Sequence, residues 1–362
     1  MRCAIVIYVI MAKTKTKLSE DLTIAESVKL ESGAILYPVV YNDIHEQTNP
    51  DLRKAVAKEI HEQLIPAMEE HKKNRGQNYK YAEDNHVTQG LFSQSSVLEK
   101  WRQSMPTAEA LYPLQKPHHK KLADGTLFDE AAERYFPHAL DGVGLRSRAC
   151  IMSHVMYEHF KGRKTSTTHP LKWASLACGA AIPVFDAASQ LLSEGKHISL
   201  LLADIDPKAL QFAKKLAVED YDIHKHITLK KSNILRLKRL QRRVGKNSQD
   251  AIDILGFFEY IPANKWPYRK YKMKIMMPGA IEFLRTAYSL LKPGGLLVLG
   301  NMRDSHPQLV FTTQIVRWPY IRPRSLERVM DIITQAGIQP EHVTLYQAGD
   351  NVYTVAAITK PF

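Results

Sequence analysis

The chain has 362 residues, 44% of them hydrophobic, and its 50 Lys and Arg against 37 Asp and Glu give a formal net charge of +13. This length and apolar fraction suffice for one large domain or two smaller ones with a sizeable core, and they exclude wholesale disorder and collagen-like repetition. Cys3, Cys150 and Cys178 form neither a disulfide framework nor a metal-ligand spacing, which favours a cytoplasmic location and predicts no metal.

Residues 1–10, MRCAIVIYVI, are apolar apart from one arginine. The run is far shorter than the ~20 residues of a membrane-spanning helix. It is not followed by a small-residue cleavage site of the kind that ends a secretory signal. Two interpretations stay open: Met11 is the native start and residues 1–10 are an upstream extension, or the run is an N-terminal strand.

Residues 1–145 predict a helical N-terminal domain. Between residues 50 and 73, apolar side chains recur at four-residue steps, which is the stripe of an amphipathic helix. Segments 95–105 and 127–140 predict further short helices. We expect this domain to form a cap over the substrate. The stripe consists of Leu52, Val56, Ile60, Leu64 and Met68.

Residues 146–362 predict a second domain of a different kind, because short apolar runs alternate with helical patterns from about residue 170. This alternation is typical of a doubly wound, mostly parallel sheet with helices on both faces. We expect seven strands, with a C-terminal antiparallel hairpin at one edge. Ligands of such sheets bind outside the carboxyl ends of the strands. The predicted strands are 171–177, 197–204, 226–232, 251–258 and 294–301, and the predicted hairpin is 342–358.

Two acids follow the second strand of this domain. Asp204 ends the strand and lies 25 residues beyond Gly179. A carboxylate at about this distance in a βαβ unit can accept hydrogen bonds from both hydroxyls of a ribose. Asp206 precedes Pro207, which is typical of a helix N-cap followed by the first helical residue. Asp204 is therefore the candidate binding residue, and Asp206 is interpreted as structural.

Five segments, taken in order, resemble the S-adenosylmethionine-dependent methyltransferases of the Rossmann-like class. The resemblance covers residues 146–362 and implies S-adenosylmethionine as the cofactor. Within the class, SLACGAA together with GNMRDSHPQ and IVRWPYIRPRSLERV resembles a bacterial group that makes fatty-acid methyl ester signals. The five segments are ASLACGAA, LLLADIDPKAL, KKSNIL, AIDILGFFEYIP and LLKPGGLLVLGN.

The glycine loop of that family, D-x-G-x-G-x-G, falls on residues 175–181 of this chain. Only Gly179 is retained, because alanine stands at the other two glycine positions and Ser175 replaces the acid. Alanine restricts any position that needs a positive φ, so the strength of cofactor binding is open. The loop residues that the resemblance assigns to the cofactor are Ala177, Cys178, Gly179, Ala180 and Ala181.

The resemblance also assigns roles to residues after the second, third and fourth strands. Asp204 would bind the ribose, Asn233 the adenine amino group, and Ile205 and Ile234 would flank the adenine ring. Aromatic residues follow the fourth strand, where the family brings methyl donor and acceptor together, although ordinary core packing would also explain them. These are Phe257, which would contact the cofactor, Phe258, and Tyr260, a candidate catalytic residue.

Arginines occur at two further places. Arg146 and Arg148 precede the first strand, where a guanidinium could pair with the cofactor's carboxylate or form a surface ion pair. Arginines and aromatics also crowd the segment after the fifth strand, which suits an acidic acceptor. His306 in that segment is a candidate general base, or a structural histidine. The predicted substrate-binding residues are Arg303, Arg317, Trp318, Tyr320 and Arg322.

Methyl transfer from a sulfonium requires alignment of donor and acceptor and exclusion of water, so it needs neither a catalytic triad nor a metal. The sequence therefore predicts a methyltransferase acting on a small or lipid-like, acidic acceptor. One alternative is an RNA methyltransferase that uses basic patches at 225–246 and 265–274 to contact phosphates. Another is a binding module that has lost catalysis.

Overall fold

The computed structural model describes residues 21–76, 85–270 and 273–362, so the interpretations of residues 1–10 lie outside the described residues. In the part before residue 161, three short strands are followed by helices. The strands are β1 (Leu22–Ile24), β2 (Val28–Lys29) and β3 (Ile35–Tyr41); the helices are α1 (Ile44–Thr48), α2 (Pro50–Glu59), α3 (Ile65–Arg75), α4 (His86–Phe92), α5 (Ser96–Gln103), α6 (Ala108–Gln115), α7 (Glu130–His138) and α8 (Leu140–Phe160).

From residue 171 onward, strands and helices alternate as the sequence predicts. The elements are β4 (Leu171–Leu176), α9 (Ile182–Ser193), β5 (Ile198–Asp204), α10 (Pro207–Glu219), β6 (Ile227–Lys231), α11 (Leu237–Val244), β7 (Gln249–Ile254), β8 (Trp266–Lys270), β9 (Met273–Met277), α12 (Ala280–Leu290), β10 (Leu291–Met302), α13 (Leu326–Gln335), β11 (Val343–Ala348) and β12 (Tyr353–Thr359).

The main sheet has the strand order β1-β3-β11-β12-β10-β7-β4-β5-β6, with β2 paired to β3. Strands β10, β7, β4, β5 and β6 form successive parallel pairs. Strand β12 is antiparallel to both β10 and β11. The carboxyl ends of β4, β5, β6 and β7 therefore meet at one edge of the sheet, the place where such folds bind ligands.

The sheet is larger than the seven strands predicted, since ten strands of the described residues belong to it. The additional strands are β1, β2 and β3 from the region predicted to be helical. Strand β3 pairs in parallel with β11, so the C-terminal hairpin lies inside the sheet and not at its edge. Five of the seven residues of β3, ILYPVVY, are strand formers, and Pro38 is the exception because it lacks the N–H that a strand donates. The pairing with β11, together with stacking of Tyr37 on Tyr346, explains the strand.

Helices cover both faces of the sheet, as predicted. On one face, α8, α9 and α10 pack on strand residues that include the fully buried Trp173. On the other face, α11, α12 and α13 pack on strand residues that include Ile254. A third apolar core joins the N-terminal helices to residues 302–318, with Trp101 at 6.3 Å from Trp318 between ring centroids. The segment after β10 thus packs against the N-terminal helices.

The predicted helix at residues 50–73 is confirmed, interrupted only by a π-helical turn at Ile60–Leu64. Its apolar stripe faces the protein, with Val56, Ile60 and Met68 fully buried. Helix α8 crosses the predicted domain boundary at 145/146, and the division into two domains stays a prediction. Among the described residues, no helix combines the length and hydropathy that crossing a membrane requires.

Candidate functional site

A cavity of about 490 Å³ lies at the carboxyl ends of β4, β5, β6 and β7. Its volume is in the range of small-molecule sites, ~300–1,000 Å³. Helix α6 and the two residues before it contribute a further wall. The lining consists of residues 106–108, Leu111, Gln115, Arg148, residues 177–181, Pro183, Val184, residues 204–206, Ala209, residues 232–235, Asp253, residues 255–257 and Tyr260.

The structure brings together nearly all the residues predicted to bind the cofactor. Every one of them except Arg146 lines this cavity, and so does the candidate catalytic Tyr260. Their individual roles stay predictions. The cofactor candidates on the lining are Ala177, Cys178, Gly179, Ala180, Ala181, Asp204, Ile205, Asn233, Ile234, Phe257 and Arg148.

The loop between β4 and α9 adopts left-handed backbone conformations at three positions. Ala177, Gly179 and Ala181 have φ of 55°, 54° and 55°. Alanines therefore occupy two positions that normally favour glycine, at a cost of about 1 kcal/mol each. The loop is held by hydrogen bonds from the Cys178 N–H to the Ala203 carbonyl at 3.2 Å and from the Ala181 N–H to the Cys178 carbonyl at 2.8 Å. Burial raises the pKa of Cys178, so its thiol stays protonated at neutral pH.

Ala177→Gly should stabilise the protein by about 0.5 kcal/mol, because the relief of left-handed strain exceeds the greater freedom of glycine in the unfolded chain. Ala180 provides the matched control, since it is buried in the same loop and its φ is not positive. Ala180→Gly should destabilise the protein by about 1 kcal/mol. Urea unfolding measures both variants, and the same sign for both would contradict the loop conformation.

Asp204 fastens this loop to the neighbouring strand. Its Oδ2 accepts a hydrogen bond from the Gly179 N–H at 2.9 Å, and its Oδ1 accepts one from the Asp206 N–H at 2.9 Å. The two carboxylate oxygens together have about four acceptor positions, so each can accept a further bond from a ligand. The structural interpretation of Asp206 is confirmed, because its side chain accepts from the Lys208 N–H and caps α10, with Pro207 as the first helical residue.

Asp253 is a cavity residue that sequence reasoning missed. It lies in the central strand β7, is 4% exposed, and faces Ser175 of β4 across the sheet as its Cα partner. Its carboxylate accepts hydrogen bonds from the Trp173 Nε1–H at 2.8 Å and the Ser175 hydroxyl at 2.9 Å. Burial raises the pKa of Asp253 to about 7, although these two bonds lower it in part. An acid inside the apolar run AIDIL was the signal available in the sequence.

Arg148 reaches the cavity from α8. Its guanidinium pairs with the buried Glu259 at 3.3 Å and lies 4.2 Å from the centroid of the Tyr353 ring. Gly300 permits this close packing, because a Cβ there would lie 2.9 Å from the Arg148 Cδ and 2.6 Å from the Leu255 carbonyl. Arg148 is the one cationic side chain on the lining among the residues that the structure describes.

Tyr260 lies on a 3-10 turn after β7, and its hydroxyl oxygen accepts a hydrogen bond of 2.6 Å from the Trp318 Nε1–H. An indole N–H can only donate, so the phenol proton is left to donate elsewhere. Burial and the neighbouring Glu259 raise the pKa of Tyr260. Tyr260 is therefore suited to donate a hydrogen bond into the cavity and unsuited to act as a base.

A double-mutant cycle of Tyr260→Phe and Trp318→Phe checks this contact. Tyr260→Phe should destabilise by about 1–3 kcal/mol because it leaves the Trp318 N–H buried without an acceptor. The double variant should be less destabilised than the sum of the single variants, by about 1 kcal/mol. Urea unfolding gives the three values. Simple additivity would show that the two side chains do not interact.

Arg146 does not line the cavity, contrary to its predicted role. Its guanidinium is buried and donates to Asp43 Oδ2 at 2.8 Å, the Pro137 carbonyl at 2.6 Å and the Leu114 carbonyl at 2.8 Å. Arg148 lies two residues along the same helix, which turns it about 200° away from Arg146 around the helix axis. Of the two arginines, only Arg148 therefore faces the cavity.

His306 is also placed away from the cavity, so its predicted role as general base is not supported. Its side chain is fully buried, with Nε2 at 3.2 Å from Asp141 Oδ1, while Nδ1 accepts from the Gln308 N–H at 3.0 Å. Thr312 donates to the same Asp141 at 2.7 Å. These bonds connect the start of α8 to the segment after β10, which is the structural interpretation of this histidine.

The predicted substrate-binding residues do not line the cavity either. The segment that carries them packs on the N-terminal helices, so its side chains are directed by that core. Trp318 is buried there and donates a hydrogen bond to Tyr260 of the cavity lining, whereas Tyr320 is 78% exposed. Arg303, Arg317 and Arg322 likewise lie outside the lining; the backbone of Arg303 bonds to Val352, and that of Arg322 to Glu259.

Arg324 belongs to the arginines of the same segment that were expected to suit an acidic acceptor, but it lies outside the cavity lining. Its guanidinium donates to the carbonyls of Phe258 and Ile261 and to Asn301 Oδ1. It thereby holds the turn that carries Tyr260. The sequence did not distinguish this role of Arg324 from the roles of the other arginines in the segment, because no apolar periodicity marks its position.

The first basic patch, residues 225–246, lies on β6, α11 and the adjoining turns at one edge of the sheet. All nine of its Lys and Arg residues are exposed, and none belongs to the cavity lining. In the second patch, Lys265 pairs with Glu282 at 2.9 Å, and β8 and β9 form a separate two-stranded sheet. Among the described residues, no three His, Cys, Asp or Glu side chains are grouped as metal ligands.

No family model matches the chain, and no curated protein matches it. Among solved structures, it is similar to a possible exported protein from Bordetella parapertussis, with a TM-score of 0.56 and 16% identity over 83% of this chain and 95% of that one. An O-methyltransferase family protein from Burkholderia thailandensis gives a TM-score of 0.42 and 14% identity over 69% and 64%. The N-methyltransferase NodS from Bradyrhizobium japonicum, solved with S-adenosylhomocysteine, gives 0.36 and 17% over 60% and 88%. The first likeness is one of fold alone, and TM-scores as low as the other two carry no argument about function.

Proposed function

We propose that the chain is an S-adenosylmethionine-dependent methyltransferase that acts on a small, largely apolar acceptor. One observation carries the proposal: the loop 177–181, Asp204, Asn233 and Tyr260 come from separate strands and share one cavity at the carboxyl edge of the sheet. Chance packing of strand ends would not be expected to collect the predicted ribose, adenine and methyl-transfer residues in a single cavity of ligand size.

The lining fits the cofactor by the chemistry of its groups. Asp204 retains acceptor positions for ribose hydroxyls, and the exposed Ile205 with the buried Ile234 offers an apolar contact for an adenine ring. Asn233 Oδ1 accepts from the Leu235 N–H at 3.0 Å and retains a lone pair for an adenine amino group. Arg148 offers a guanidinium to a carboxylate. S-adenosylmethionine, when bound, supplies a methyl group that is already activated for transfer.

The residues around Tyr260 suit the acceptor end. Phe257 and Leu255 give this part of the cavity an apolar lining, which favours exclusion of water. Tyr260 would orient an acceptor by donating its phenol proton to an oxygen or nitrogen lone pair. Pro106, Ala108 and Leu111 extend the apolar lining from the N-terminal helices, and this extension supports a lipid-like acceptor.

The acidic character predicted for the acceptor loses its support, because the arginines assigned to the acceptor lie outside the lining and Arg148, the one cationic side chain on the lining among the described residues, is assigned to the cofactor. The subgroup of fatty-acid methyl ester synthases stays a proposal, supported only by the apolar lining and the sequence resemblance. A cytoplasmic location is likewise proposed from the cysteine pattern.

Isothermal titration calorimetry of the full chain with S-adenosylmethionine and S-adenosylhomocysteine tests the cofactor. We expect one site per chain, and absence of binding would overturn the methyltransferase proposal. The second candidate, an RNA methyltransferase, is favoured by the exposed cations at 225–246. It requires RNA binding that weakens steeply between ~50 and ~200 mM salt. No RNA binding at the lower salt concentration would remove this candidate.

A further inference from the structure

Asp253 is a buried carboxylate on the cavity lining that has no cationic partner among the described residues. Its hydrogen-bond donors, the Trp173 indole and the Ser175 hydroxyl, are both neutral. A buried charge is costly unless a counter-charge or a full set of hydrogen bonds compensates it. Each oxygen of Asp253 accepts one bond here and can accept another. Asp253 therefore retains acceptor positions for a cationic group that enters the cavity.

The position of Asp253 distinguishes one side of the cavity from the side that carries Asp204. Strand β4 lies between β5, which carries Asp204, and β7, which carries Asp253, so the two acids lie on opposite sides of the loop 177–181. Asp204 is already engaged with the backbone N–H groups of Gly179 and Asp206. Asp253 shares its side of the cavity with residues 255–257 and Tyr260, which follow the same strand. The two acids can therefore serve different parts of one elongated ligand.

Arg148 adds the opposite charge at this side. A Cβ on Gly256, three residues after Asp253, would lie 3.6 Å from the Arg148 Nη2. A carboxylate and a guanidinium on one cavity wall match the ammonium and carboxylate of an α-amino acid. We infer that Asp253 binds the α-ammonium of the amino-acid part of S-adenosylmethionine, with Arg148 facing its carboxylate. This inference rests on the proposed function.

Ser175 occupies the position at which the glycine loop of the family carries an acid, and the geometry around Asp253 offers a reason for this replacement. The serine hydroxyl donates to Asp253, its partner on the neighbouring strand, and so holds the carboxylate in place. Trp173, two residues earlier on the same face of β4, holds the other oxygen. The acid of the site is thus supplied by β7 and positioned by β4.

Binding of two ligands to the Asp253→Asn variant tests the inference. S-adenosylmethionine contains the amino-acid part next to a sulfonium, whereas 5′-methylthioadenosine has the same adenosine with a neutral thioether and lacks the amino-acid part. S-adenosylhomocysteine, which combines the neutral thioether with the amino-acid part, should respond to the substitution as S-adenosylmethionine does. In calorimetry at pH 7.5, Asp253→Asn should weaken S-adenosylmethionine binding by about 10- to 100-fold, which is the loss expected for a charged hydrogen bond. The affinity for 5′-methylthioadenosine should stay within about twofold of the unmutated protein.

Asp250→Asn is the matched control. Asp250 is a second buried acid of β7, but it lies at the amino end of the strand, where it pairs with Arg163 and Lys292. It should leave both affinities unchanged, and thermal melting of both variants shows whether each is folded. Equal affinity of S-adenosylmethionine for Asp253→Asn and the unmutated protein would overturn the inference while leaving the proposed function intact. An equal loss for both ligands would also overturn it, since the effect would not be confined to the amino-acid part.

The unmutated protein provides a second measurement in case Asp253→Asn fails to fold. The titratable or charged groups on the cavity lining near Asp253 are Cys178, Asp204, Arg148 and Tyr260. Because the pKa of Asp253 is raised to about 7, lowering the pH from 7 to 5 should progressively protonate it and weaken S-adenosylmethionine binding by up to about tenfold per unit. Binding of 5′-methylthioadenosine should not follow this dependence. Parallel pH profiles for the two ligands would contradict the inference, and failure of both to bind at any pH would overturn the proposed function itself.

Discussion

Replacing Asp204 by alanine should raise the dissociation constant for S-adenosylmethionine at least about 100-fold. Under the proposed function, the variant would lose two charge-assisted hydrogen bonds to the ribose, each worth about 1.5–3 kcal/mol. It also loses the acceptor that holds the Gly179 N–H, so the loop 177–181 is released from β5. Calorimetry at constant pH and salt measures the loss. Asp204→Asn, which keeps one acceptor oxygen for the loop, should give a smaller loss of about tenfold.

Asp206→Ala is the control for this prediction. Asp206 lies two residues away at the cavity edge, but its carboxylate caps α10. Its removal should cost about 1 kcal/mol of stability and leave the affinity nearly unchanged. If Asp206→Ala weakened binding as much as Asp204→Ala, the assignment of ribose recognition to Asp204 would be wrong.

Replacing Asp43 by asparagine should lower the free energy of unfolding by about 3–5 kcal/mol. Asp43 is 1% exposed, and its Oδ2 accepts hydrogen bonds from both Arg53 of α2 and Arg146 of α8. Removing this negative charge leaves Arg146 without an ion-pair partner among the described residues and Arg53 with only the exposed Glu46, and breaking a buried pair costs this much. Urea unfolding at pH 7 measures the difference.

Glu46→Gln is the control, since Glu46 also pairs with Arg53, at 3.7 Å, but its side chain is 57% exposed. Exposed pairs contribute little, so this variant should lose less than about 1 kcal/mol. A loss equal to that of Asp43→Asn would show that burial is not what makes Asp43 important.

The pH dependence of stability provides a further readout at Asp43. Burial would raise its pKa, but Arg146 and Arg53 lower it below the ordinary value. Because the folded-state pKa is the lower one, the contribution of this carboxylate is present above the unfolded-state pKa of about 3.9 and is lost as the pH falls through the folded value. The stability difference between the unmutated protein and Asp43→Asn should therefore shrink below about pH 4.

Most of the fold and much of the cavity could be predicted from local features of the sequence. The alternation of strands and helices after residue 170 depends on hydrophobic periodicity, which each segment carries in itself. The assignment of Asp206 as a helix cap depended only on its neighbours, and the placement of Asp204 at a strand end depended on the apolar run before it. Both residues lie where these patterns placed them.

The site predictions that the structure does not support concern side-chain direction. The sequence did not distinguish Arg146 from Arg148 as the arginine that reaches the cavity. The ion pairs of Arg146 with Asp43 and of Arg148 with Glu259 decide that Arg148 does so. The arginine-rich segment after β10 looked like a substrate site because of its composition. In the structure its aromatic residue Trp318 joins the core of the N-terminal helices, and this contact directs the rest of the segment away from the lining.

The sequence by itself determined the doubly wound arrangement and the strand ends at which ligands bind, because both follow from the spacing of residues along the chain. Only the tertiary structure placed Asp253 opposite Ser175, the Trp318 indole on Tyr260, and β3 against β11. The two side-chain contacts join residues 78 and 58 positions apart in the chain. No local pattern encodes such distances, since strand register and core packing are set by the sum of many weak contacts across the whole fold.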